Sequence, residues 1–277
     1  MKLSAVISYK NCIQSGYPFA ESILSMLPIV DEYLVNDGGS TDGTLEATKR
    51  LVEMYPDKIK LYQINDFPCT RWHCVSDQYN KLIEDATGDW IFQGNADEIM
   101  HENDIGTYKA ALGAAKPETI VLRHLRHEIF NYWSETGWYD YWPARVTRNI
   151  EGVFQDWPSL GGDEFIKPKW TWMQFPPDCE RLEGFKIWHY YMMFIENNME
   201  KMRHDSEDVA TSDKHRAQQF EFYKVHPYSL KVPEWYGVKV VPNQPGIIKD
   251  MVTYTKYSVR EELFDPAWLK KIYTVSQ

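Results

Sequence analysis

Two acidic segments near the start of the chain have the residue types for holding a nucleotide and a divalent cation. The first is Asp37-Gly38-Gly39-Ser40-Thr41-Asp42-Gly43-Thr44, which closes an apolar run and opens a helix-period segment. Its glycines permit positive φ and close backbone approach to a ligand, while Asp and Thr suit the start of a helix. The same features also serve a plain capped turn. It is not GxGxxG, and no Walker lysine follows, so dinucleotide and P-loop sites are disfavoured. The second segment, Gly88-Asp89-Trp90-Ile91-Phe92-Gln93-Gly94-Asn95-Ala96-Asp97-Glu98, runs an apolar strand into an amide and two acids. Carboxylates at the C-terminal end of a strand can hold Mg²⁺ or Mn²⁺ against a diphosphate, because hard cations take oxygen ligands. The competing reading is a solvated loop with Asp97 or Glu98 capping the next helix.

The elements that must position these residues alternate between strand and helix. Leu3–Ser8, Tyr33–Asn36, Ile59–Ile64, Trp90–Gln93 and Ile120–Leu125 are short apolar runs. Between them lie a helix opened by Pro18, one carrying Leu45, Thr48, Leu51, Val52 and Tyr55, one carrying Val75, Tyr79, Leu82, Ile83 and Ala86, and one over 102–115. This order predicts a mostly parallel, doubly wound α/β sheet with helices on both faces. After about residue 130 the pattern gives way to tryptophans among Gly, Pro and acids. We read irregular structure and short strands there, packed at the sheet's C-terminal edge where such folds place ligands. Helices are expected over 193–203 and 212–224.

Together, the turn, the Ala86-Thr87-Gly88-Asp89 lead-in and the acidic strand end resemble glycosyltransferase family 2, nucleotide-sugar enzymes of the GT-A fold. The family pattern has a DGGSTDGT turn, an asparagine-bearing helix ending in A-x-GD, and a strand ending in a DxD-type motif. The counterparts are Asp37–Thr44, Asn80–Asp89 and Asn95–Asp97, in the right order over the first hundred residues. The resemblance implies that Asp37 contacts the nucleotide base, with Ser8 of the first strand beside it. Asp97 would bind the metal that bridges the donor phosphates. Asn95 stands where the family has its first acid; it can bond ribose but adds no charge, and Glu98 is the neighbour able to compensate. Arg71, ahead of the asparagine-bearing helix, would meet phosphate or sugar. Asp163, or Glu164 after it, resembles the acid that deprotonates the acceptor hydroxyl. His189, in Ile187-Trp188-His189-Tyr190-Tyr191, resembles the late histidine that completes the metal site; a hydrogen-bonded core histidine is the other reading.

The implied activity is transfer of a sugar from a nucleotide diphosphate, a UDP-sugar, to a glycan or other hydroxyl-bearing acceptor, with Mn²⁺ or Mg²⁺ and inversion. Residues 1–125 would bind the donor and 126–205 the acceptor within one catalytic domain, with 206–277 an extension packed on it. Two alternatives stand beside this. A nucleotidyltransferase would carry a Gly-rich basic loop after the first strand, where this chain has Ser8-Tyr9-Lys10-Asn11-Cys12. A non-catalytic carbohydrate-binding or scaffold protein of the same fold would fit an amide at position 95.

Composition narrows the field further. The chain has 277 residues, a net charge of −10 and 15% aromatic residues. The acidity argues against unmodified duplex DNA as a partner, since neutralising phosphate dominates such binding. The basic cluster Arg123-His124-Leu125-Arg126-His127, with Arg145 and Arg148, either balances a bound phosphate or forms one polar face of a strand. Four scattered cysteines read as reduced thiols. With no signal-peptide pattern and no apolar stretch of ~18–20 residues, a cytoplasmic protein is expected.

Overall fold

The computed structural model describes residues 1–65, 73–130, 134–135, 142–151, 154–155, 165–166, 179–191, 239–240, 243–248 and 257–274. Its centre is four parallel strands in the order β3-β2-β1-β4: β1 (Leu3–Tyr9), β2 (Glu32–Asp37), β3 (Ile59–Tyr62) and β4 (Trp90–Gln93). The chain winds outward from β1 through β2 to β3, then returns to place β4 on the other side of β1. The switch point therefore lies between β1 and β4, the place where open α/β sheets bind ligands.

Side-chain alternation sorts these strands onto two cores, as a period of two requires. Ala5, Ile7, Tyr33, Val35, Trp90 and Phe92 pack with helices α2 (Phe19–Met26) and α3 (Thr44–Met54). Val6, Leu34 and Ile91 pack on the opposite face with Tyr79 and Leu82 of helix α4 (His73–Asp85). A single turn, α1 (Cys12–Ser15), precedes α2. Every residue of α2 is buried, including Glu21, Ser22 and Ser25, so each of those polar side chains must find a partner inside. Glu21 finds the C-terminal segment: Tyr257 Oη donates to its Oε2 at 2.9 Å, and Arg260 stands 3.6 Å from its Oε1. Tyr273, on the helix Pro266–Thr274, donates to the Leu24 carbonyl.

At the N-terminal end of the sheet the Thr87-Gly88 lead-in is a clamp. Glu32 Oε1 accepts from Ser4 Oγ, Thr87 N and Thr87 Oγ1 within 2.8 Å, while Lys60 Nζ reaches Oε2 at 2.6 Å. Burial pushes this carboxyl up, but the bonds from Lys60, Ser4 and Thr87 outweigh burial and hold its pKa at about 2. Gly88 donates to Ser4 Oγ, and a Cβ there would stand 2.6 Å from the Ser4 nitrogen, so only glycine lets the lead-in approach β1.

Beyond β4 the sheet continues. β5 (Glu98–Met100) leads through a 3₁₀ turn to helix α5 (Ile105–Ala114), followed by β6 (Val121–Phe130), β7 (Ser134–Glu135) and β8 (Ala144–Arg148). β8 lies antiparallel between β4 and β6. β9 (Phe154–Gln155) and β10 (Phe165–Ile166) form a separate antiparallel pair, and β12 (Lys239–Val240) adds to β7. β11 (Cys179–Tyr191) runs parallel to β6 along its length and antiparallel to β5. Most paired residues in the sheet run parallel, as expected. However, β11 is a long strand of the main sheet where irregular structure was expected. A register shift between Leu182 and Lys186 breaks it, with Gly184 at φ +90°. That bulge interrupts the period of two that would mark a strand. The expected helices over 193–203 and 212–224 lie outside the described residues. Among those described, no helix is long and apolar enough to cross a membrane.

Candidate functional site

The Asp37–Thr44 turn is built from its own side chains. Asp37 Oδ1 accepts from Gly39 N at 3.0 Å and Ser40 N at 2.7 Å, the Asx geometry that folds the chain back after β2. Gly39 (φ +89°) and Gly43 (φ +96°) take left-handed positions. The remaining polar groups dock the turn onto the β1–α1 connection: Ser40 Oγ accepts from Asn11 N, Asn11 Oδ1 from Thr41 N, and Asp42 Oδ2 from Gln14 N. Thr44 Oγ1 likewise accepts from Ile13 N. Against this background Asp37 Oδ2 is conspicuous: it is buried and accepts no hydrogen bond from the described residues. A carboxylate oxygen in that state has given up water for nothing within the protein, and a bound N–H donor is the partner its chemistry calls for.

Ser8, opposite Asn36 in the β1–β2 ladder, sits inside a closed ring. Its Oγ donates to Gln78 Oε1 at 2.6 Å and accepts from Asn36 Nδ2 at 3.0 Å. Gln78 Nε2 and Ile64 N continue to the Ile64 carbonyl and Asn36 Oδ1. The hydroxyl proton is thus committed to α4, leaving Ser8 a lone pair to offer a ligand.

Across the switch point, the chain leaves β4 through Gln93-Gly94 into Asn95-Ala96-Asp97. Asp97 Oδ2 lies 3.4 Å from His189 Nε2, with side-chain exposures of 16% and 8%. Backbone pairing brings them together: His189 stands opposite Glu98 in the β5–β11 ladder, and Tyr190 N donates to the Asp97 carbonyl at 2.8 Å. Helix α2 grips the same segment, Ser22 Oγ donating to the Asn95 carbonyl and Ser25 Oγ accepting from Met100 N. These grips from α2 are what sequence spacing did not reveal.

Whether these residues suit a cation is a question of distance. Two ligands at right angles on a cation with bonds of ~2.1 Å lie ~3 Å apart, so Asp97 and His189 at 3.4 Å fit a shared ion with a small adjustment. No third His, Cys, Asp or Glu joins them among the described residues. Glu98, the adjacent acid, turns inward: it is 3% exposed, and its Oε1 accepts from Arg145 Nη2 at 2.7 Å. Arg145 is wholly buried. Arg126 Nη1 is 3.6 Å and Asn95 Nδ2 3.5 Å from the same Glu98 oxygen. The cluster's other arginines are engaged with the fold, Arg123 Nε donating to the Trp142 carbonyl and Arg148 Nε to the Thr119 carbonyl.

The structure therefore sets Asp37 and Ser8 on one side of the switch point, and Asn95, Asp97 and His189 on the other. Arg71, Asp163 and Glu164 lie outside the described residues.

Comparison with known proteins gives the family. Residues 4–161, more than half of the chain, match Glycosyl transferase family 2. The chain is 33% identical over 101 residues to a protein named putative glycosyltransferase EpsE, from Bacillus subtilis (strain 168). That match spans 35% of this chain and 34% of that protein, so the chain covers about a third of the curated relative's length. Among solved structures it is similar to S. aureus TarS 1–349 in complex with UDP-GlcNAc, at 14% identity and a TM-score of 0.47, over 84% of this chain and 76% of that one. It is also similar to the mannosyltransferase PcManGT from Pyrobaculum calidifontis, in complex with GDP-Man and Mn²⁺, at 20% identity and a TM-score of 0.37, over 45% of this chain and 35% of that one.

Proposed function

Because the chain belongs to glycosyltransferase family 2, we propose that it moves a sugar from a nucleotide-diphosphate donor, a UDP-sugar, to an acceptor hydroxyl with inversion at the anomeric carbon. The observation that carries this reading is the pairing of two unlike sites about one switch point. Asp37 offers a buried acceptor without a donor, and Asp97 with His189 offers an oxygen and a nitrogen at cation-sharing distance. A nucleobase and a diphosphate are the two ends of one ligand.

The Asp37 oxygen also bears on the base. It accepts, so it suits a ring N–H, as on uracil or guanine; cytosine and adenine present a lone pair at the equivalent ring position. Ser8, opposite Asn36 on the neighbouring strand, offers one lone pair to the nucleoside. Asn95 faces the ribose as a neutral hydrogen-bonding side chain. Asp97 and His189 would hold Mn²⁺ or Mg²⁺, whose charge would stabilise a diphosphate leaving group. Arg71 adds a positive charge on the phosphate or sugar. Asp163, with Glu164 as second choice, takes the proton from the acceptor hydroxyl as it attacks the anomeric carbon. Inversion follows from one displacement with a base on the acceptor side. The buried, unbridged Cys12 fits a cytoplasmic setting.

The test is thermal unfolding with UDP, GDP, CDP, ATP and NAD, each with and without Mn²⁺. A ligand at a hundredfold excess over Kd stabilises the native state by about 2.7 kcal/mol. We expect a Mn²⁺-dependent shift with UDP. A shift with GDP alone would move the donor to a GDP-sugar, and a shift with ATP or NAD alone would refute the proposed donor.

A further inference from the structure

We infer that the buried Glu98–Arg145 pair is a positioning device that sets Asp97 and His189 at their spacing; this rests on reading those two residues as ligands of the donor's cation. β5 is only three residues long and borders β11, whereas Arg145 belongs to β8, which is laddered on both sides to β4 and β6. The 2.7 Å bond between two buried side chains therefore ties a short outlying strand to the middle of the sheet.

What it ties down is specific. Glu98 follows Asp97 in the chain and stands opposite His189 in the ladder, so one displacement at Glu98 moves both ligands. The Tyr190 N–H on the Asp97 carbonyl couples them again. The same Glu98 oxygen lies 3.5 Å from Asn95 Nδ2. An aspartate at 95 would set a second carboxylate there, against Glu98, while the amide presents a donor. The asparagine that departs from the family's acid thus joins the device.

Stability does not account for the pair. Replacing a buried ion pair by packed apolar side chains is commonly neutral or favourable, because desolvation offsets the attraction. Both side chains are buried, so apolar replacements would lie in the protein interior rather than in water. What the pair adds that they would not is a fixed, directional link.

The experiment titrates Mn²⁺ by calorimetry at saturating UDP with wild type, Glu98→Leu/Arg145→Met and Glu98→Gln/Arg145→Met. The first double variant loses no net charge, so a weakened site cannot be ascribed to a lost negative field. We expect it to unfold at a temperature near that of wild type while its half-saturating Mn²⁺ rises about tenfold or more, the scale seen when supporting residues of a metal site are removed. Excess Mn²⁺ should restore UDP binding. Where Glu98→Leu/Arg145→Met fails to fold, Glu98→Gln/Arg145→Met carries the same test, since it keeps the shape of the Glu98 side chain, removes the link to Arg145 and also leaves the net charge unchanged. A folded variant with wild-type Mn²⁺ dependence overturns the inference. Wild type binding UDP without Mn²⁺ would instead overturn the cation reading itself, and the inference with it.

Discussion

Asp37→Asn separates the two oxygens of one carboxylate. The amide keeps an oxygen at Oδ1, where Gly39 N and Ser40 N donate at 3.0 and 2.7 Å, and those two donors fix which way the amide points. The turn should therefore keep its shape. At the other position an acceptor becomes an N–H₂ donor. In the free protein this removes a buried oxygen that has no hydrogen bond, so the melting temperature without ligand should stay level or rise. In the complex it replaces a charge-assisted bond by two donors facing each other. Hydrogen bonds to charged groups are worth roughly 1.5–3 kcal/mol, and 1.4 kcal/mol is about tenfold in affinity, so UDP should bind roughly 10- to 100-fold more weakly. Calorimetry with UDP and CDP at saturating Mn²⁺ reads the effect. Because the new donor suits the lone pair of cytosine N3, CDP should lose less than UDP, and the preference between them should narrow. Wild-type UDP affinity in the folded variant would refute the assignment of this oxygen to the base.

Four further outcomes are expected. Asp97→Ala should abolish Mn²⁺-dependent UDP binding while the far-ultraviolet spectrum is unchanged; tight Mn²⁺-dependent binding would remove Asp97 from the site. Asp163→Asn should bind the donor normally and release no UDP in the presence of acceptor, and normal turnover would move the base elsewhere, Glu164 first. Glu32→Gln should cost about 2 kcal/mol at pH 7, less than the roughly 3 kcal/mol of the full shift because Lys60 is half exposed. As a depressed carboxylate, Glu32 stabilises above its unfolded value and loses that contribution as pH falls toward 2, so denaturant midpoints of variant and wild type should converge in acid. His124 is buried, and among the described residues neither of its ring nitrogens has a hydrogen-bond partner. Burial, with Arg145 and Arg126 adding to it, holds its pKa well below the usual histidine value. Below about pH 6.5 the unfolded chain takes a proton that the folded one refuses, so stability falls as pH drops. His124→Phe should flatten that fall between pH 7 and 5, and an unchanged slope would refute the account.

The first half of the fold was legible because its signals are local. Val6 and Ile7, or Leu34 and Val35, reach opposite cores by the alternation visible in the residues themselves. The Asp37–Thr44 turn likewise completes its hydrogen bonds within itself and the β1–α1 connection. β11 was not legible, since Gly184 and the register shift beside it break the alternation at the strand's midpoint. The difference between Asp97 and Glu98 was hidden for another reason. In sequence they are neighbouring acids after a strand, and either suits a cation. Their divergence depends on Arg145, 47 residues beyond Glu98. Arg145 did leave a trace: it stands between Ala144 and Val146 in a strand whose first four residues are all buried. A guanidinium in such a strand requires an acid close by, because its charge cannot be left alone in a core. That demand can be read from one strand. Which acid meets it is decided by β5 folding back along β11, a pairing that no residue spacing encodes. Among the acids at the end of β4, Asp97 is the one left for the proposed cation site because Arg145 takes Glu98.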